Sequence, residues 1–315
     1  MTSKENNKYA LDISIIIPVY NDQEVMEELE TRLVKVLLSV SSQYEIVFVD
    51  DGSSDCTWEK VALLKEKNDR IVGIKLIRNF GQHNAISAGL DFVSGNIVII
   101  MDSDLQDRPE DIPKLLDALI KNNASMAIAR WKSRKDSWLK MTGSKLFYFI
   151  SSKLTKLNYQ SSLGVFRAVR KEVVSELKKY PEKTATTLSL LYWIGFDYVT
   201  VELERDERFA GESGYSFRKM LKLMLDRVFS FSMFPIRLAI FSGLTISLIS
   251  FIVVIILIIR RLHGVVAPGW TSITVLILFL FGLNFLFLGI IGEYLGRIFM
   301  ESKQRPKYII KEILK

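Results

Sequence analysis

Two long runs without a charged residue limit what this chain can become: Leu238–Ile259, 22 residues, and Gly264–Gly292, 29 residues. A helix needs about 20 apolar residues to cross the hydrocarbon core of a bilayer, and both runs reach that length. The competing reading is a pair of buried core helices. Two uncharged runs this long, side by side, favour the membrane.

Charge around the runs orients them. Arg218, Lys219, Lys222, Arg227 and Arg237 precede the first, and Arg297, Lys303, Arg305, Lys307, Lys311 and Lys315 follow the second. The short link between them carries Arg260 and Arg261. By the positive-inside bias, both flanks are expected in the cytoplasm and the tip of the hairpin outside. The residues after Met1 are polar, so no secretory signal peptide is expected, and the rest of the chain is expected at the cytoplasmic face of the inner membrane, both termini included. The formal net charge is +7, and much of the excess sits beside the runs, where anionic headgroups attract it. No basic run interleaved with aromatics stands elsewhere, so nucleic acid is not an expected partner. Cys56 is the single cysteine, which excludes a disulfide framework within the chain. His83 and His263, the two histidines, are far apart, which argues against a histidine-based zinc site or a serine–histidine triad.

Ahead of the runs, short apolar strands alternate with helical patterns. The spacing predicts strands over Asp12–Val19, Glu45–Val49, Ile71–Ile77 and Ile97–Met101. Helices are predicted from Val25 through Leu37, from Asp55 to about Lys67, and from Gln82 to Val93, with Pro109 opening the next. The strands are apolar throughout, as when both faces of a sheet are covered, so the expected class is α/β with a mostly parallel, doubly wound sheet. Asn21, Asp50, Asp51, Asn79, Asp102 and Asp104 fall where strands finish, at the carboxyl edge where open α/β sheets bind ligands. Trp138–Leu157 mixes lysines with aromatic and aliphatic residues, and reads equally as a helix on the bilayer surface or an ordinary amphipathic helix. Phe217–Phe234 is expected to be an interfacial helix.

The strongest local signal is Asp102-Ser103-Asp104. If the strand runs through it, the two carboxylates share one side. They repel unless a cation joins them, and hard oxygen ligands suit Mg²⁺ or Mn²⁺, which in turn bind phosphate oxygens. The bland alternative is a solvated acidic turn. Asp50-Asp51-Gly52-Ser53 is a second acidic strand end. A carboxylate there can accept from a ribose or a base, Gly52 allows a tight turn, and the following helix offers free amides to an anion. Capping of that helix by Ser53, Ser54 or Asp55 is compatible with this, since capping does not use Asp50.

Together these segments resemble family 2 glycosyltransferases of the GT-A fold. The resemblance is carried by Pro18-Val19-Tyr20-Asn21, Val49-Asp50-Asp51-Gly52-Ser53-Ser54-Asp55 and Arg78-Asn79-Phe80-Gly81. Met101-Asp102-Ser103-Asp104-Leu105-Gln106-Asp107 with Pro109-Glu110 is similar to the polyprenyl-phosphate branch. So are Arg208-Phe209-Ala210-Gly211-Glu212-Ser213, Pro235-Ile236-Arg237-Leu238 and Gly292-Glu293-Tyr294-Leu295-Gly296-Arg297. The resemblance runs from about Ile13 to Ile310 and points to bactoprenol glucosyltransferases and dolichyl-phosphate mannose synthases.

It implies a GT-A catalytic domain over residues 1–216, an interfacial amphipathic helix over 217–234, two transmembrane helices over 235–292 and a cytoplasmic tail over 293–315. It implies that Pro18, Tyr20, Asn21, Glu24, Asp50, Asp51, Asn79, Asp102 and Gln106 bind the nucleotide sugar, and that Asp102 and Asp104 hold Mg²⁺ or Mn²⁺. Asp102, Asp104, Arg130 and Arg208 are then the catalytic residues, and Arg130, Lys140, Ser144 and Ser213 receive the acceptor phosphate. The implied partners are a nucleotide sugar, UDP-glucose first, with a modified hexose, an aminosugar or mannose left open; a polyprenyl phosphate; and the membrane. A homo-oligomer is left open. Two departures bear on the donor sugar: Gly164-Val165-Phe166-Arg167 stands where many glucosyl-transferring relatives have Gly-Asp-Phe-Arg, and Gly214 where relatives often have Lys.

Three rivals are weaker. A processive polysaccharide synthase needs more spans and a Gln-x-x-Arg-Trp motif. A dinucleotide oxidoreductase needs Gly-x-Gly-x-x-Gly after the first strand. A non-catalytic membrane or flippase partner would have no need of the acidic pairs.

Overall fold

The computed structural model describes residues 12–131, 163–180, 182, 185–206, 225, 228–263 and 269–315. Two units emerge: residues 1–216 together with 306–315, and residues 217–305.

The first unit is built on an eight-stranded sheet, in the order β7-β5-β6-β4-β1-β2-β3-β8. Its centre is β1 (Ile13–Val19), every residue of which is buried. Parallel to it lie β2 (Tyr44–Asp50) and β4 (Ile97–Ile100), and β3 (Ile71–Leu76) runs parallel to β2. Ile, Val and Phe fill these strands because helices cover both faces, leaving no solvated side on which polar residues would alternate. On one face α1 (Met26–Val40) sets Met26, Leu29, Leu33 and Leu37 against Ile13, Ile15, Ile17 and Phe48. On the other, α3 (Gln82–Phe92) approaches so closely that a methyl group on Gly89 would lie 2.5 Å from Ile16 Cγ2. α2 (Thr57–Lys67) and α4 (Ile112–Lys121, after a short 3₁₀ turn at Pro109–Asp111) complete the βαβ windings.

Beyond β4 the sheet becomes mixed. β6 (Leu163–Arg170) pairs antiparallel with both β4 and β5 (Met126–Trp131), and β7 (Tyr198–Leu203) runs parallel to β5. Two short helices, α5 (Lys171–Leu177) and α6 (Thr187–Trp193), follow β6. The strand order reverses between β1 and β4, and the loops leaving these strands diverge there into the crevice where doubly wound sheets take their ligands.

One expectation needs correcting. The strand expected to reach Met101 stops at Ile100, so Asp102 and Asp104 lie beyond it in a bend. The last pairing with β1 is Ile16 with Ile100, and the chain then turns through Leu105 at φ +56. The argument that alternate strand residues share a side therefore does not apply; the loop places the two carboxylates. The segment 293–315, expected as a tail, carries parts of two elements. Residues 293–302 continue the second long helix, and β8 (Ile310–Leu314) joins the eight-stranded sheet antiparallel to β3.

β8 covers a sheet edge that would otherwise offer unpaired backbone groups to another chain. Ile77 N donates to Ile309 O at 3.0 Å, and Tyr308 donates its hydroxyl to Asp91. Deleting residues 306–315 is expected to remove about 2–3 kcal/mol, from a few net backbone hydrogen bonds of roughly 1 kcal/mol each, and to lower the melting temperature by roughly 5–10 °C. Concentration-dependent aggregation is expected to accompany the loss; a thermal melt of the full-length and truncated proteins in detergent, followed by light scattering, checks both.

The second unit holds α7 (Phe234–Leu262) and α8 (Trp270–Ser302). By length and composition, Phe234–Val253 and Phe279–Ser302 suit a bilayer, and no part of either window is buried inside the protein, unlike a soluble core helix. Tyr294 and Arg297 on α8 tie down the turn before α7: Tyr294 Oη donates to Ser232 O at 2.6 Å and Arg297 Nη1 to Ser230 Oγ at 2.9 Å. This gives the Gly-Glu-Tyr-Leu-Gly-Arg motif a structural use. The segment Trp138–Leu157 and most of Phe217–Phe234 lie outside the described residues.

Candidate active site

Three loops meet at the carboxyl edge, after β1, β2 and β4, and their own side chains lace them together. Asn21, held at φ +55, links the first two. Its amide donates to Ser53 Oγ at 3.0 Å, and its Oδ1 accepts from Ser54 N at 2.9 Å. The side chain of Asp22 accepts from Tyr20 N at 3.0 Å and from Ser103 Oγ at 2.6 Å, which fastens the β1 loop to the Asp102–Asp104 loop across the switch point. Burial raises the Asp22 carboxyl above the ordinary aspartate range, against the lowering effect of Ser103 and the Tyr20 amide.

Asp50 and Asp51 serve different ends. Asp50 is wholly buried; its Oδ1 accepts from Ser53 N at 2.9 Å, and its Oδ2 is buried without a donor among the described residues. An orphaned carboxylate oxygen at a ligand-binding edge is a ready acceptor for a ribose or base N–H or O–H. Asp51 is turned instead to the β3–α3 loop, accepting from Phe80 N at 2.7 Å and Gly81 N at 2.8 Å. Burial raises its carboxyl, while those two amides pull it back. Asp51 therefore holds the loop that carries Asn79, whose side chain is exposed. Tyr20 is 47% exposed, enough to offer a ring face to a base, and Glu24 is exposed on the same loop, whereas Pro18 is fixed within β1.

The carboxylates of Asp102 and Asp104 are partly exposed. Gln82 Nε2 donates to Asp102 Oδ1 at 2.5 Å, and Asp104 Oδ1 accepts from Gln106 N at 3.2 Å. Gln106 is buried and reaches Asp206 O at 3.4 Å through its amide. Deeper still lies Asp107, which sequence reasoning passed over; burial first, and then Asp102 beside it, push its carboxyl up to about 8. Among the described residues no group of three or more His, Cys, Asp or Glu is placed to hold a metal. Two carboxylates suffice, however, for an ion that keeps water and takes phosphate oxygens from a nucleotide, which is how Mg²⁺ is commonly bound. The hard oxygen donors of Asp102 and Asp104 fit that use.

Arg130 sits at the end of β5 opposite Glu202 of β7 and forms an ion pair with it. Arg205, another residue unseen in the sequence, follows β7 and enters the acidic loop. Its Nη2 is 3.8 Å from Asp102 Oδ2, its Nε 3.4 Å from Asp107 Oδ1, and its guanidinium lies over the Trp131 ring at 5.3 Å. At the position lacking the relatives' aspartate, Val165 O accepts from Arg167 Nε at 2.9 Å. Lys140, Ser144, Arg208 and Ser213 lie outside the described residues.

A mixed α/β sheet with an acidic pair at its switch point is the architecture of the GT-A fold. The glycosyl transferase family 2 model matches residues 14–178, more than half of the chain, so the protein belongs to that family and is a glycosyltransferase. It is 37% identical to the bactoprenol glucosyl transferase of Shigella phage SfV, over 96% of this chain and 98% of that one. It is 36% identical to an uncharacterised glycosyltransferase of Synechocystis, over 96% of both chains. Among solved structures, the mannosyltransferase of Pyrobaculum calidifontis in complex with GDP-Man and Mn²⁺ covers 71% of this chain and 65% of its own at TM-score 0.51 and 19% identity. Glucosyl-3-phosphoglycerate synthase of Mycobacterium tuberculosis, in complex with Mn²⁺, UDP-glucose and phosphoglyceric acid, covers 70% of this chain and 79% of its own at TM-score 0.51 and 18% identity. Identities this low speak for the shared fold alone.

Proposed function

We propose that this glycosyltransferase moves a hexose, glucose from UDP-glucose in the first instance, onto polyprenyl phosphate at the cytoplasmic face of a membrane, with inversion at the anomeric carbon. The observation that carries the reading is the Ser103–Asp22 bond, which joins the Asp102–Asp104 loop to the loops around Asp50 at the switch point. Relatives named bactoprenol glucosyl transferases, matching over nearly their full length, support the lipid acceptor.

In this reading Asp50 accepts from the nucleoside and Tyr20, Asn21, Glu24 and Asn79 border it, while Gln106 stands on the sugar side. A divalent ion on Asp102 and Asp104 would supply neutralisation of the leaving diphosphate. Arg130, Lys140, Ser144 and Ser213 meet the acceptor phosphate, and Arg208 adds charge-assisted bonds at the donor. A phosphate monoester has its second pKa near ~6, so at neutral pH the acceptor is already an anionic nucleophile. No general base is then required, and Val165 in place of an aspartate is tolerated. The gain lies in alignment of acceptor oxygen, anomeric carbon and leaving oxygen.

The membrane placement follows from the acceptor. Withdrawing a polyprenyl tail from lipid costs roughly 0.8 kcal/mol per CH₂, so the enzyme works where the lipid already is. Two crossings return a chain to the side it left, and β8, after the hairpin, shares a sheet with β1–β7, before it. This supports both flanks on one face.

The test incubates membranes containing the protein with undecaprenyl phosphate and, separately, radiolabelled UDP-glucose, UDP-N-acetylglucosamine, GDP-mannose and UDP-galactose. Label from UDP-glucose is expected in the chloroform phase. Label from another donor corrects the sugar, and label from none of them defeats the proposed reaction.

A further inference from the structure

Arg205 is held in an unusual way. The residue after it is clamped twice to the loop after β4: Asp206 N donates to Gln106 O at 3.1 Å, and the Asp206 carboxylate accepts from Arg108 Nε at 2.6 Å and from Arg108 Nη2. The residue two before it, Leu203, is buried at the end of β7. With the backbone fixed on both sides, the side chain is directed between Asp102 and Asp107 and covered by Trp131. Gly164 on β6 allows Trp131 this position, since a methyl group there would fall 2.6 Å from its Nε1.

The contacts themselves are loose. At 3.8 Å to Asp102 the guanidinium is an ion partner rather than a hydrogen-bond donor. Its Nε and Asp107 Oδ1 are buried atoms that lie 3.4 Å apart without an aligned hydrogen bond between them. Well-formed bidentate arginine–carboxylate pairs have two short parallel bonds, as Arg32 has with Glu110 at 2.9 and 2.6 Å. Arg205 forgoes that geometry beside a carboxylate that a divalent ion would need. Asp102 cannot give the same oxygen to both cations at full strength, and the Trp131 ring together with the Asp107 carboxyl, 3.4 Å from Nε, leaves the arginine somewhere to remain.

We propose that Arg205 is a positioning residue that serves as the resident counter-cation of Asp102 and competes with the divalent ion for it. Metal entry displaces the guanidinium from Asp102, and the freed charge then strengthens binding of the nucleotide diphosphate. The inference rests on the proposed function for its metal and its nucleotide, and its test separates the two.

A single substitution should therefore act in opposite directions on two ligands. For purified full-length Arg205→Gln in detergent, Mn²⁺ binding without nucleotide, followed by loss of the free-ion EPR signal, is expected to tighten by about three- to tenfold, as removal of a nearby like charge requires. UDP binding at saturating Mn²⁺, followed by calorimetry, is expected to weaken by about tenfold through loss of a charge-assisted contact. Arg205→Lys, which keeps the charge on a point-like group, is expected to lie between wild type and Arg205→Gln on both axes. It also carries the test if Arg205→Gln does not fold, as judged by its melt. An arginine that merely braces the loop would weaken both ligands together on removal, and that result overturns the proposal, as does unchanged Mn²⁺ affinity. If the wild type binds no Mn²⁺ at all, the metal reading of the site fails; if it binds Mn²⁺ and Arg205→Gln matches it, only the role of Arg205 fails.

Discussion

Asp102→Asn and Asp104→Asn, made separately, are each expected to reduce turnover by about 10³-fold or more while leaving the melting temperature within a few degrees of wild type. The magnitude follows from the leaving group. A departing diphosphate with no cation to share its charge forfeits about 4 kcal/mol of transition-state stabilisation, and each 1.36 kcal/mol is a factor of ten in rate. Asparagine keeps the shape and one acceptor oxygen. The Gln106 amide still has a partner at position 104, and Gln82 still has one at position 102. What is lost is charge, so the fold should hold while chemistry and metal affinity fall together. The two variants should differ in one respect. Asp102 also lies beside Arg205, so Asp102→Asn leaves the guanidinium facing only the Asp107 carboxyl, which burial holds toward its neutral form, whereas Asp104→Asn leaves Arg205 and Asp102 together. Transfer of labelled sugar to the organic phase, with Mn²⁺ titration and a thermal melt on the same preparations, checks the expectation. Either variant retaining more than a tenth of wild-type turnover would remove these carboxylates from the centre of the reaction.

Much of the sheet was legible because its central strands are long apolar runs broken by polar residues. The strands β1 to β4 and helices α1 to α3 fall within a few residues of where periodicity puts them. The end of β4 was misplaced because Met101 is apolar and buried like a strand residue, though its backbone turns away after one bond to Ile16 O at 3.1 Å. β8 was missed for a different reason. Ile-Lys-Glu-Ile-Leu is five residues with two adjacent charges, too short and too polar to announce a strand, and its partner lies more than 230 positions earlier.

The same distinction separates the site residues. Asp50, Asp51, Asp102 and Asp104 stood out because they cluster where apolar runs end. Asp22 carried that signal too, three residues past β1, and was passed over in favour of Asn21. Arg205 gave none. It follows a strand of half-buried, mixed residues, and its partners Asp102 and Asp107 are about a hundred positions away, brought close by a sheet order that places β7 beyond β5 and β6. Asp107 looked like the tail of an acidic motif, and only the fold buries it. The Arg130–Glu202 pair likewise depends on a register between β5 and β7 that no local pattern encodes.

Gly52→Ala is expected to be the most destabilising conservative change at the carboxyl edge, at about 3–5 kcal/mol, and to abolish nucleotide binding as well. Two costs add. Gly52 stands at φ +73, a conformation in which a side chain costs about 1–2 kcal/mol. A methyl group there would also lie 2.4 Å from the Arg78 carbonyl carbon and 2.7 Å from both Arg78 Cα and Asn79 N. These are backbone atoms, so no rotamer change relieves the overlap, and the β3–α3 loop must move. That loop supplies the Phe80 and Gly81 amides to Asp51, a carboxylate only 3% exposed. Once the loop shifts, Asp51 loses its two donors while staying out of water, the condition under which a buried carboxylate costs most. The neighbouring Ser53→Ala, which removes one hydroxyl and leaves the Ser53 amide on Asp50, is expected to cost about 1 kcal/mol and serves as the contrast. Urea unfolding of both variants and calorimetry with UDP distinguish the cases. Gly52→Ala unfolding alongside Ser53→Ala would mean that the β2 and β3 loops are not braced against each other, and the site would lose the contact that orders its nucleoside side.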